Sequence, residues 1–126
     1  MDDIYKQNIL DHYRHPRHKG ELFEFNLWEE GANPSCGDEL TLYFCVEGER
    51  IVDVGWTGDG CAISQAATSM LSEKLIGMTI EEARGLGEKD ILEMLGVTIG
   101  PEREKCAFLS IRTLHKALRK GTLTKS

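Results

Sequence analysis

The sequence predicts an α+β fold, in which a small antiparallel three-stranded sheet packs against four to five helices. Apolar and polar residues alternate over residues 40–46 and 51–56, which is typical of strands that bury one face. From residue 62 onward the apolar residues recur at helical spacing instead. Because no linker, repeat or low-complexity segment interrupts residues 1–126, we expect them to form a single domain.

The composition limits the classes of protein that fit. A chain of 126 residues with 40% hydrophobic residues can bury a core without disulfides. The net charge of −6 argues against a general nucleic-acid binder, which normally has a basic surface. No apolar run approaches the ~20 residues that span a membrane, and the N-terminus lacks the features of a signal peptide. We therefore expect a cytoplasmic protein with neither a nucleic-acid nor a membrane partner.

The four cysteines are expected to be thiols or metal ligands rather than disulfides, because the cytoplasm is reducing. The sequence contains no CxxC pair, which excludes standard zinc-finger and thioredoxin motifs.

The N-terminal part predicts a helix from residue 3 to about residue 13, which ends before Pro16. His12, His15 and His18 recur at intervals of three near its end, as metal ligands can. Pro16 interrupts the helical register that would align these rings, however, so the pattern favours a solvated and partly packed basic helix end.

Three apolar segments follow. Residues 21–30 predict an edge strand or an extended arm, with Phe23, Phe25 and Leu27 alternating. The next two segments are the strands of a hairpin; their expected buried residues are Leu40, Leu42, Phe44 and Val46 on the first strand and Val52, Val54 and Trp56 on the second. Cys45 falls on the opposite face, where it is expected to be a structural or half-exposed thiol and not a ligand.

The C-terminal half predicts four helices. The first spans residues 62 to about 76, with the polar residues Ser64, Gln65, Thr68, Ser72 and Glu73 opposite its apolar face. A capping box at Thr79 starts a short helix, and a second short helix covers residues 88–95. The last helix runs from Pro101 to about residue 120 and stops at Gly121, with His115 partly packed or on the surface.

Three short stretches carry the chemistry. Cys61 follows a glycine-rich strand end and begins a helix, where free N–H groups and the helix dipole favour a thiolate. Cys106 is expected in the first turn of the last helix, with the same effect. Cys36 lies in the turn after Pro34, and Asp38 follows two residues later.

If these stretches meet in space, Cys36, Asp38, Cys61 and Cys106 form a pocket of three thiolates and one carboxylate. Such a donor set suits zinc, Fe(II) or an iron-sulfur cluster and suits magnesium or calcium poorly. A carboxylate is a harder and weaker ligand for soft iron than a thiolate is. The site therefore predicts a protein that releases what it holds, rather than a structural zinc module.

Several motifs in order resemble the U-type iron-sulfur cluster assembly scaffold family, which includes IscU, SufU and the N-terminal domain of NifU. They are DHYRHPR at residues 11–17, NPSCGD at 33–38, GCAIS at 60–64 and KCA at 105–107. The resemblance implies a carrier rather than an enzyme. It would accept sulfur from a pyridoxal-phosphate cysteine desulfurase, assemble a labile [2Fe-2S] cluster on Cys36, Asp38, Cys61 and Cys106, and transfer it to apo-proteins.

The resemblance also implies that Cys36 and Cys106 are the candidate sulfur acceptors. It leaves open whether the cluster is held within one subunit or bridges a homodimer.

The sequence departs from the IscU pattern in two places. Lys105 replaces the histidine that IscU-type members have before the last cysteine, which resembles SufU, although the long SufU insertion is absent. Residues 99–104, IGPERE, replace the LPPVK-like segment that IscU offers to a dedicated Hsp70 chaperone, so the sequence does not predict that partner. Lys105 is either a solvated lysine or a cation that assists Cys106.

These departures leave one alternative, a zinc-dependent sulfurtransferase that activates a cysteine desulfurase. In this alternative zinc occupies the same four ligands, and Cys36 leaves the metal to accept sulfur.

Overall fold

The computed structural model describes residues 2–35 and 37–120, and it confirms the predicted fold class. A three-stranded sheet is combined with five helices. The elements in chain order are α1 (Asp2–Arg14), β1 (Leu27–Asn33), β2 (Asp38–Glu47), β3 (Arg50–Asp59), α2 (Ala62–Leu75), α3 (Ile80–Arg84), α4 (Glu88–Leu95) and α5 (Pro101–Lys120).

The sheet is an antiparallel meander in the order β1-β2-β3. Strand β2 alternates as predicted, and its buried residues Leu40, Leu42, Phe44 and Val46 are at most 5% exposed. Helix α5 packs on β1 and β2, α2 packs on β3, and α1 packs on α2. The core therefore lies between one face of the sheet and the layer formed by α2 and α5.

Strand β3 departs from the predicted alternation at Val52, which is 38% exposed, whereas Ile51 is fully buried. Cys45 pairs with Asp53 and Val46 pairs with Ile51, so Val52 is an extra residue in this ladder. Such a bulge reverses which residues face inward on its far side. The prediction was correct for Val54 and Trp56, which are buried. Both lie on the side of the bulge that is farther from the hairpin turn.

The strand predicted over residues 21–30 begins only at Leu27, and the segment before it is the extended arm of the alternative prediction. Phe23 is 98% exposed, so the alternation there does not mark a buried face. Phe25 instead packs edge-on against Tyr43, with ring centroids 4.9 Å apart. The arm thus covers part of the outer face of the sheet.

Helix α2 is buried on most of its polar side as well as on its apolar side. Its buried polar residues are Ser64, Gln65, Thr68, Ser69 and Ser72. Ser69 Oγ lies 2.7 Å from His12 Nδ1 and accepts a hydrogen bond from the backbone N–H of Arg17 at 2.8 Å. Packing of α1 and the residues after it buries this face, and hydrogen bonds compensate its polar groups.

Of the three spaced histidines, His12 is buried at 5% exposure, whereas His15 and His18 are exposed. Within the described part of the chain these rings form no group of candidate metal ligands. A partly packed helix end is therefore the correct interpretation.

The C-terminal helices follow the sequence signals closely. Both halves of the Thr79 capping box form with Glu82, and α4 ends at Gly96 in the left-handed conformation. His115 is partly packed, with Nε2 2.7 Å from the Leu86 carbonyl oxygen. The predicted stop at Gly121 lies outside the described residues. Across the described chain, no helix combines the length and the apolar character that crossing a membrane requires.

Candidate metal centre

Asp38 is the first residue of β2 and lies opposite Asn33, the last residue of β1. Its side chain faces the interior and is 2% exposed. One carboxylate oxygen, Oδ1, accepts a hydrogen bond from the backbone N–H of Cys61 at 3.2 Å. The other oxygen, Oδ2, is buried and has no hydrogen-bond partner in the part of the chain that the structure describes.

Cys61 lies at the N-cap of α2, directly after the end of β3, as the sequence predicted. Its thiol is partly exposed, and Ser64 Oγ donates to its carbonyl oxygen at 3.0 Å. Gly60 makes the approach to Asp38 possible: a Cβ built on it would stand 2.7 Å from Asp38 Oδ1 and would overlap Ser64 Oγ. The absence of a side chain at Gly60 therefore lets the start of α2 approach β2.

Cys106 reaches the same place from α5, but not from its first turn. The helix begins at Pro101, so Cys106 is in the second turn, where the free N–H groups of the helix end no longer act on it. The predicted helix-start effect on this thiol was wrong. Cys106 is instead 4% exposed and lies at the interface between α5 and the sheet.

The structure brings three of the four predicted ligands together. The ligand atoms of Asp38, Cys61 and Cys106 all lie within 4.8 Å of one another. Donor atoms of one tetrahedral zinc site are about 3–4 Å apart, given metal–ligand distances of about 2.0–2.3 Å. The group is therefore compact enough to converge on one ion or cluster. Cys36, the predicted fourth ligand, lies outside the described residues.

Buried polar atoms without a hydrogen-bond partner point to the same region. Among the described residues they are Asn33 Nδ2, Asp38 Oδ2 and Ser110 Oγ. Asn33 pairs with Asp38 across the hairpin, and Ser110 lies one helical turn after Cys106. Buried polar groups normally have partners, so a carboxylate with one unpaired oxygen, on a residue grouped with two cysteine sulfurs, fits a soft metal ion or cluster.

Sequence reasoning did not identify Ser110. Only its spacing of four residues from Cys106, which puts both on one face of a helix, could have indicated that Ser110 lies near the candidate ligands.

Two other predicted residues lie apart from this group. Cys45 is half-buried in the middle of β2, and burial raises the pKa of its thiol, with smaller contributions from Glu47, Glu24 and Asp53. Lys105 is exposed and lines a cavity between β1 and α5. Cys45 is thus half-exposed, as predicted, and lies outside the Asp38 group.

Comparisons with known proteins give one consistent result. The profile of the family described as "NifU-like N terminal domain" matches residues 4–123. The zinc-dependent sulfurtransferase SufU of Bacillus subtilis is 34% identical, with 95% of this chain and 92% of the relative covered. The iron-sulfur cluster assembly scaffold protein IscU of Thermotoga maritima is 36% identical, with 93% and 94% covered.

The fold has a similar solved counterpart. A putative iron-sulfur cluster assembly scaffold protein for the SUF system from Fervidobacterium islandicum AW-1 superposes with a TM-score of 0.78 at 38% identity. The superposition covers 92% of this chain and 97% of that one.

Proposed function

The chain belongs to the NifU-like N-terminal domain family, and on that premise we propose that it is an iron-sulfur cluster assembly scaffold. Residues 1–126 act as one scaffold domain that accepts sulfur from a cysteine desulfurase. A labile [2Fe-2S] cluster is its cargo, held by Cys36, Asp38, Cys61 and Cys106 and then passed to apo-proteins. The protein is a carrier rather than an enzyme with turnover of its own.

The observation that carries this proposal is that a carboxylate oxygen of Asp38 lies within 4.8 Å of the sulfurs of Cys61 and Cys106. The Oδ2 atom of this carboxylate is buried and has no hydrogen-bond partner among the described residues. Oδ1 is held by the Cys61 N–H, which fixes the carboxylate while Oδ2 remains available. Such a carboxylate is expensive to bury without a cation. A site that binds iron or zinc there recovers that cost.

Each residue of the site has a distinct task in the proposal. Cys61 and Cys106 supply soft ligands from two helices that the core holds in place. Cys36, which the sequence places between β1 and β2, accepts sulfur, and Cys106 is a second candidate acceptor. Asp38 is the weakest ligand for soft iron, so exchange with an acceptor protein begins at its oxygen.

The first experiment is to purify the protein without oxygen or added metal and to measure iron, zinc and acid-labile sulfide per chain. Equal iron and sulfide with sulfide-to-iron charge-transfer bands supports a scaffold. Asp38→Ala should then hold its cluster longer than the wild type, whereas faster loss would contradict release at this ligand. Asp59→Ala, which removes an exposed carboxylate at the end of β3, is the matched control.

A zinc-dependent sulfurtransferase is the second candidate, favoured by the Bacillus subtilis relative of that name and by Lys105 before Cys106. In this case the zinc form should raise the turnover of a cysteine desulfurase several-fold. Cys36→Ala should abolish the increase, and Cys45→Ala should retain it. Unchanged turnover with the zinc form would exclude this function.

A further inference from the structure

A second candidate site lies between the C-terminal end of β1 and helix α5. A cavity of about 260 Å³ opens between the edge strand β1 and one face of α5. Its lining comprises Gly31, Ala32 and Asn33 from β1 and Lys105, Leu109, Arg112, Thr113 and Lys116 from α5. The proposed ligand set contributes none of these residues.

The cavity concentrates positive charge in a chain of net charge −6. Lys105, Arg112 and Lys116 recur along α5 at intervals of seven and four residues, which places them on one helix face. Among the residues that line the cavity there is no carboxylate. The lining itself is thus positively charged, although two of its cations pair with carboxylates outside it, Arg112 with Glu88 and Lys116 with Glu29. Clustered cations attract anions.

These cations retain donors that can reach a ligand. Arg112 uses Nε and one terminal nitrogen on Glu88, which leaves its second terminal nitrogen. Lys116 donates to the carbonyl oxygen of Glu30 at 2.8 Å and its Nζ lies 3.8 Å from Glu29 Oε2; a lysine has three N–H groups, so one is left for a ligand. In the described part of the chain, Lys105 makes no ion pair.

Asn33 adds a neutral donor to the wall of the cavity. The residue is 8% exposed, and its Nδ2 is one of the buried atoms without a hydrogen-bond partner. Its Oδ1 accepts from Ser35 Oγ at 3.1 Å, which distinguishes the two ends of the amide. An unsatisfied buried N–H costs free energy, and because Asn33 lines this cavity, an oxyanion bound there would offer an acceptor to it.

We propose that this cavity is an anion-binding site for a small oxyanion or carboxylate. Its volume is below the usual range for drug-sized ligands, which limits the occupant to a group of a few atoms. The group is either a free ion or the acidic side chain of a protein that docks beside Cys106. Binding does not require a metal or a cluster in the neighbouring site.

The test is a titration of the isotope-labelled, zinc-loaded protein, followed by NMR, at constant ionic strength set with chloride. The probes are sulfate and N-acetylglutamate amide, which represent the free ion and the acidic side chain. Saturable shifts are expected for the Asn33 side-chain amide and for the backbone amides of Lys105, Leu109 and Thr113. Lys105→Gln with Arg112→Gln should weaken binding by about tenfold or more, because each change removes a charged donor.

Lys74→Gln is the matched control, since Lys74 is an exposed cation on α2 and does not line the cavity. Tighter binding of sulfate supports a free oxyanion, and tighter binding of the glutamate probe supports a docking protein. The proposal is overturned if neither probe gives saturable shifts there, or if the double variant binds as well as the Lys74→Gln control. The melting temperature of the double variant should equal that of the wild type, which would show that weaker binding does not result from unfolding.

Discussion

The backbone N–H of Cys61 donates to Oδ1 of Asp38 at 3.2 Å, so the start of α2 is tied to the start of β2. Asp38→Asn keeps an acceptor there and removes a buried charge. An unpaired buried charge costs more than the unpaired amide N–H that replaces it, so the metal-free variant should unfold at a higher temperature than the wild type, by the equivalent of about 1–2 kcal/mol. Added zinc should raise its melting temperature less than that of the wild type.

Thermal unfolding with and without zinc measures both effects, and Asp59→Asn serves as the control for lost charge alone. An equal gain on zinc addition in Asp38→Asn and in the wild type would show that the carboxylate does not bind the metal.

Gly60→Ala should weaken metal binding while leaving the fold intact. The added methyl group would stand 2.7 Å from Asp38 Oδ1, so the carboxylate or the start of α2 must shift. We expect a loss of roughly tenfold or more in zinc affinity, as positional changes beside a metal site often cause. Competition with a chromophoric chelator measures it. Gly87→Ala, which adds a methyl group with no atom within 4 Å, should leave the affinity unchanged.

Gly31→Ala should destabilise the packing of α5 on β1. A Cβ at Gly31 would overlap Thr113 Oγ1 and would lie 3.3 Å from Leu109 Cδ1. The expected cost is about 1–3 kcal/mol in the free energy of unfolding, as for overpacked cores. Thr113→Ala removes the overlapping oxygen, so the double variant should lose less than the sum of the two single variants. Additive losses in chemical denaturation would contradict this contact.

The stability of the metal-free protein should fall in mild acid because of His12. Burial, followed by the charge of Arg17, lowers the pKa of this imidazole, although Glu73 and Asp11 oppose the change. The unfolded chain then binds a proton more readily than the folded chain does. Folding is therefore weakened as pH decreases through the ordinary histidine pKa of about 6.5, and the loss is complete below the folded pKa.

His12→Gln retains a polar group near Ser69 and removes the titration. Denaturation at several pH values should show a smaller loss of stability between neutral pH and mild acid in this variant than in the wild type. His15→Gln, at an exposed position, should behave like the wild type. Equal pH dependence in all three proteins would exclude the buried imidazole as the cause.

The sequence predicts the site better than its surroundings. Asp38, Cys61 and Cys106 lie together, as the family resemblance implies, and for Asp38 and Cys61 the local sequence also gives a reason, a turn and a helix start. The reason given for Cys106 was wrong, since no local signal separates the first from the second turn of a helix that begins at Pro101. The position of Cys36 stays a prediction.

The remaining errors share a physical origin in tertiary structure. Val52 faces outward because a bulge depends on how two strands pair, which alternation within one strand does not reveal. The polar side of α2 is buried because α1 supplies partners such as His12 for Ser69. Hydrogen bonds between residues far apart in sequence offset the cost of burying these polar groups. The hydrophobic periodicity of one helix does not reveal such bonds.

The outer edge of β3 has a consequence for how copies of this chain can meet. Near one end, the backbone N–H of Ile51 donates to the carbonyl oxygen of Met78 at 2.8 Å. The carbonyl oxygen of Ile51 accepts from the backbone N–H of Gly77, also at 2.8 Å. Near the other end, the carbonyl oxygen of Trp56 accepts from the backbone N–H of Gly20 at 2.6 Å, and the backbone N–H of Trp56 donates to the carbonyl oxygen of His18 at 3.1 Å.

A strand from another molecule would have to displace both segments to extend the sheet there. The edge is thereby protected against strand addition and the aggregation that follows from it. Any pair of chains that shared a cargo would therefore not assemble by adding one sheet to the other at this edge.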